Sequence, residues 1–127
     1  MTRPKIPAYQ GWTPQEQWVW ECVQAGEIAD FNTTKGYGGQ LDPKDPKGWP
    51  DTRILRPTFL ETVLLYEPYR TAIPHHGLRI VGAWCQDSLD LSHAALACQL
   101  WLNHSRFESE VKLSALRTPH VFSLEPV

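Results

Sequence analysis

The sequence predicts a mainly β protein: a short parallel β-helix of square coils, about 22 residues each, behind an N-terminal α-helical cap and a long loop. Three observations predict it. Apolar pairs recur at a fixed interval from residue 78 onward, proline and glycine withdraw from most of that stretch, and a well-capped helix opens the chain.

The pairs have the form apolar-x-apolar: Leu78/Ile80, Leu89/Leu91, Leu100/Leu102, Val111/Leu113 and Phe122/Leu124, with starts 11 residues apart. Between them stand Ala83/Cys85, Ala94/Leu96, Ser105/Phe107 and Leu116/Thr118. An amphipathic helix needs apolar residues at i, i+3, i+4 and i+7, and a single strand needs strict alternation; neither pattern is present. Steps of five and six residues suit a chain that turns a corner after each short strand. Four steps would make one coil, with successive coils stacked at ~4.8 Å. The expected inward ladders are Leu78–Leu100–Phe122, Ile80–Leu102–Leu124, Leu89–Val111, Leu91–Leu113 and Cys85–Phe107. On the outside, Asp90 would form an ion pair with Lys112, and Trp84 a cation–π contact with Arg106.

Nine of the eleven prolines precede residue 75 and all eight glycines precede residue 83. That change of punctuation divides the chain near His76-Gly77, into a cap of residues 1–77 and coils over 78–127. In the cap, Thr13-Pro14-Gln15-Glu16 is a capping box with proline at the first helical position. A helix over Gln15–Ala25 should stop at Gly26 and bury Trp18, Cys22 and Ala25, with Val19 and Val23 beside them. Residues 27–52, rich in Gly, Pro, Asp and Lys, form an irregular loop. A second helix is expected from Pro57 to Tyr66, separate from any turn near Asp51 because Pro57 would break a continuous helix.

The stretch from Gly77 to Leu124, with Ala94-x-Leu96 and Ser105-x-Phe107 as its closest matches, resembles pentapeptide-repeat proteins. The LRIVGA and LDLS phrases, behind capped helices, are similar to the N-terminal part of bacterial pentapeptide-like proteins labelled "membrane-associated oxidoreductase". The resemblance covers roughly residues 50–127 and implies a right-handed quadrilateral β-helix. It also implies a class that includes inhibitors of nucleic-acid enzymes, of phage or mobile-element type. The oxidoreductase label has no counterpart in the residues, which contain no glycine-rich dinucleotide fingerprint after a strand and no spanning apolar run.

The charge is balanced, at −2 over 127 residues with no basic block or acidic tail, which argues against a dedicated nucleic-acid binder and against a DNA mimic. Three cysteines without regular spacing do not make a disulfide framework, and a cytoplasmic location is expected. Five histidines invite a metal site, but His75-His76 are adjacent and the pair Cys98/His120 falls short of the four ligands of a structural zinc; no metal and no cofactor are expected. The expected function is therefore a non-enzymatic interaction module, an inhibitor or regulatory subunit, with no catalytic residue assigned. Trp20, Tyr37, Trp49, Trp101 and Arg106 are the expected protein-binding residues, exposed aromatics beside arginine being the composition of a hot spot. Phe122 and Leu124, at the last coil, leave a sheet edge and a core uncovered, to be closed by another protein or a second copy, a homodimer being simplest. The alternative is an enzyme, or a fragment of one, with a site under the 27–52 loop built from Asp30, His75, His76 and the tryptophans.

Overall fold

The computed structural model describes residues 5–96, 98–118 and 122–124. Helix α1 (Pro14–Gln24) begins at the expected capping box: the Glu16 N–H donates to Thr13 Oγ1 at 3.3 Å and the Thr13 N–H to Glu16 Oε1 at 3.0 Å. Strand β1 (Ala29–Asp30) follows, then a loop, a single 3-10 turn at Asp51–Arg53, α2 (Pro57–Leu65) and the short α3 (Tyr69–Ala72). The remaining strands are β2 (Leu78–Val81), β3 (Trp84–Cys85), β4 (Leu89–Asp90), β5 (Leu100–Asn103), β6 (Arg106–Phe107), β7 (Val111–Lys112) and β8 (Phe122–Ser123).

The expectation of a mainly β, quadrilateral β-helix is overturned. Among the described residues the chain is a small α/β fold of three α-helices and short parallel strands in small sheets, about 23% helix and 20% strand, with no solenoid or β-helix found. The strands pair as one sheet in the order β1-β2-β5-β8 and two separate ladders, β3-β6 and β4-β7. Residues 22 apart do lie side by side: Leu78 beside Leu100 and Leu100 beside Phe122, Cys85 beside Phe107, Leu89 beside Val111. The physical reason for the difference is that helices and sheets share one core. Phe59, Leu60, Val63 and Leu64 of α2 are buried in the same cluster as Leu78, Ile80, Leu89 and Leu100. The first part of the chain also enters the ladders directly. Ala29 pairs with Ile80, and Ile54 bridges Trp84, so helical and strand regions alternate around the core.

Two local expectations need correction. The buried face of α1 is Glu16, Val19, Trp20 and Val23, whereas Trp18 and Cys22 are half-buried and Ala25 is exposed. The helix is turned because Glu16 is drawn inward by Arg56 of the α2 N-terminus, at 2.7 Å. The outside pairs are in register but make other contacts. Lys112 approaches Glu110 at 3.8 Å, Asp90 Oδ1 caps the Ser92 N–H, and the arginine–ring contacts are Arg53–Trp49 and Arg79–Trp101.

The fully buried Arg53 fastens the long loop. It donates to the carbonyl oxygens of Tyr37, Phe31, Gly39 and Gly82 and to Asn32 Oδ1, with no carboxylate in contact. Gly82 is required beside it, since φ is +78° and a Cβ there would lie 2.5 Å from Asn32 Oδ1.

Candidate docking face

Strands β6, β7 and β8 each end a sheet, and together they form an outer row. The opposite edges are covered: α1 packs on β1, Ile54 and Leu55 lie against Trp84 of β3, and α2 packs on β4. Along every ladder the apolar side chain one row up is sealed while its outer partner is open. Leu100 is 0% exposed but Phe122 is half-buried; Cys85, Leu89, Leu91 and Leu102 are buried, but Phe107, Val111, Leu113 and Leu124 are half-buried. Leu116 joins the same row. Each rests on the row above and has no described residue below it. The result is an apolar surface continuous with the core, edged by strand backbone that has no ladder partner among the described residues.

The rim of this face carries both signs. Arg106 Nε contacts Glu108 Oε1 at 2.6 Å, and the Trp84 indole N–H donates to the same oxygen at 2.9 Å. Hydrogen bonds from Arg106 and then Trp84 hold the Glu108 carboxyl below its ordinary range. Arg106 also donates to the Pro43 carbonyl at 2.9 Å, tying the long loop to the ladder.

Of the sequence-predicted binding residues, the structure brings only Phe122 and Leu124 to this face, with Arg106 on its rim. Trp20 is not exposed: it is fully buried, and its indole N–H donates to the Ile6 carbonyl at 2.8 Å. Trp49 is buried too, donating to the Asp42 and Asp45 carbonyls and lying 5.3 Å from the Arg53 guanidinium. Tyr37 packs edge-on to Phe31 at 4.8 Å and against Trp18 at 5.1 Å. Trp101 is half-buried beneath Arg79, at 5.6 Å. Trp20 and Trp49 serve the interior, Tyr37 packs the loop against Phe31 and Trp18, and Trp101 lies on the face of β5 opposite the sealed Leu100 and Leu102. The alternative site does not converge: Asp30 Oδ1 caps the Asn32 and Thr33 N–H groups, and the exposed His75 and His76 rings stack on each other at 4.1 Å. Concavities of about 420 and 520 Å³ lie instead along the N-terminal segment, and neither Asp30 nor either histidine lines them. Among the described residues no group of three His, Cys, Asp or Glu could hold a metal; His120 lies outside them.

The residues that sequence reasoning missed are Phe107, Val111, Leu113 and Leu116 as surface. Their apolar period was visible, but the period assigns them inward and says nothing about which row is outermost among the described residues. No helix is long and apolar enough to cross a membrane among the described residues. Comparison with family models, with curated proteins and with solved structures found no match, so the resemblance to pentapeptide-repeat proteins stands on the quoted residues alone.

Proposed function

We propose that the chain is a non-enzymatic interaction module that docks through its outer row, and that the occupant is a second copy of itself. The observation that carries this is the half-burial of Phe107, Val111, Leu113, Phe122 and Leu124 beside sealed partners one row up. Two copies facing each other about a two-fold axis would bury both rows with one self-complementary patch. The rim supports a like copy, since Arg106, Lys112 and Arg117 stand beside Glu108 and Glu110, so both signs are present for a two-fold related copy to meet. The same mixture disfavours a phosphate backbone, so a regulatory or inhibitory role would act on protein rather than on nucleic acid. Free thiols at Cys22, Cys85 and Cys98 suit a cytoplasmic, reducing compartment.

Sedimentation equilibrium between about 1 and 200 μM tests the proposal and should give a monomer–dimer equilibrium. Phe122→Asp and Leu113→Lys should each weaken it about tenfold or more while leaving the circular dichroism unchanged. A wild-type chain that stays monomeric throughout overturns the second copy as occupant, and so does a dimer indifferent to both variants.

A further inference from the structure

A second surface, remote in sequence from the outer row, has the chemistry of a peptide site. The chain between Tyr9 and Trp12 turns back over α2 and α3, leaving a cleft of about 420 Å³ walled by Tyr9, Trp12 and Tyr69 and edged by Arg56 and Thr58. A neighbouring concavity of about 370 Å³ shares Tyr9 and Tyr69, so the two rings separate adjoining compartments of one furrow. The rings brace one another: Trp12 lies 4.9 Å from Tyr69, 6.2 Å from Tyr9 and 4.9 Å from Phe59 of the core. Tyr9 nevertheless stays 59% exposed, and its ring lies so close over Gly11 that a Cβ there would come within 2.3 Å of it.

Several donors around the furrow have no partner among the described residues. The Trp12 indole Nε1 makes no hydrogen bond to a described residue and is not among the buried polar atoms left unpaired. Arg56 Nε and Nη2 bind Glu16 and the Gly11 carbonyl, which leaves Nη1 unpaired on a side chain that is 41% exposed. The Thr58 hydroxyl is exposed, and only its carbonyl is engaged, by Thr62. The pairing of Arg56 with Glu16 leaves no net charge to neutralise, so an anion is not what the furrow selects. Aromatic walls with unpaired donors match a ligand that offers apolar rings and many free carbonyl oxygens. A polyproline II segment is that ligand: its carbonyls are free of internal hydrogen bonds, and proline has no N–H to leave unpaired. We infer that this furrow binds a proline-rich peptide in polyproline II form, its rings in the two compartments and its carbonyls on Trp12, Arg56 and Thr58.

The probe is a fluorescein-labelled decaproline peptide, with a glycine–serine peptide of equal length as control. Anisotropy should show saturable binding with Kd on the order of 10–500 μM for decaproline only. In the ¹⁵N-labelled protein, the indole cross-peak assigned to Trp12 by Trp12→Phe should shift on titration. Tyr9→Ala, which removes a ring that is 59% exposed, should weaken binding about tenfold while leaving the circular dichroism unchanged. Phe122→Asp should leave it unchanged, which separates this site from the outer row. Absence of binding up to about 1 mM, equal binding by the control peptide, or an unaffected Tyr9→Ala variant overturns the inference. So does a furrow that takes free indole but not decaproline, which would make it a small-molecule site.

Discussion

Glu16 accepts hydrogen bonds from Thr13 on its own helix and from Arg56, 40 residues away, and it is fully buried while doing so. Burial pushes its carboxyl up, but the hydrogen bonds from the Arg56 side chain and backbone and from Thr13 together hold it below the ordinary range. A carboxyl depressed in the folded state contributes stability that is fully present above its unfolded value and is lost as the pH falls through the folded one. The urea midpoint of the wild type should therefore exceed that of Glu16→Gln at neutral pH, and the gap should close below the ordinary glutamate range. Arg56→Ala leaves the carboxylate buried without its partner and should cost about 3 kcal/mol in the same measurement. Arg53 poses a different case, because none of its five hydrogen-bond acceptors is a carboxylate. Arg53→Lys keeps the charge but loses the planar fork, so it should cost about 2 kcal/mol and speed amide exchange across residues 31–39. Neither arginine was legible in the sequence. Their acceptors are backbone carbonyls and a carboxylate brought near only by folding, and no spacing rule encodes such partners.

At the scale of elements, what was legible is what is local. The capping box, the proline at the first helical position and the stop at Gly26 are set within one helix, and α1 runs Pro14–Gln24 as those signals demand. Which side of α1 faces inward was not legible, because Arg56 and the ring cluster around Trp20 decide it. The apolar pairs told which residues would lie side by side, since a ladder at 22-residue offset repeats itself in the sequence. They could not tell that α2 would pack into the same core, so the fold class went astray while the pairings can be read directly. A test compares two residues of one expected ladder. Leu91 is sealed and Leu113 half-buried, so Leu91→Ala should cost about 3 kcal/mol and Leu113→Ala about 1 kcal/mol in denaturant unfolding. Equal costs would contradict the open outer row. The turns between strands carry a cost of their own: His93, His104 and Ala115, again 11 residues apart, hold positive φ of 63°, 52° and 55°. Ala115→Gly should relieve that strain and raise stability by about 0.5–1 kcal/mol, read as an upward shift in Tm.

For the whole molecule, the three cysteines sample two depths of one core. Cys85 lies on β3 beside Phe107 of the outer row, is 2% exposed, and burial pushes its thiol up to about 12. Cys22 and Cys98 are half-buried, and burial raises their thiols as well. The thiolate is the reactive species, so a buried, high-pKa thiol is modified only when the structure opens. With a disulfide reagent near neutral pH, Cys22 and Cys98 should react through local opening, at rates little affected by low denaturant. Cys85 should react slowest, with a strong denaturant dependence, because exposing it requires separating β3 from β6 and from the core. Its rate also reports on the docking face. If a second copy covers the outer row, closure over Phe107 adds protection, and Cys85 labelling should slow as protein concentration rises through the dimer range. Phe122→Asp should abolish that concentration dependence while leaving Cys22 unaffected. A Cys85 rate independent of concentration in a chain shown to dimerise would place the dimer contact on another surface.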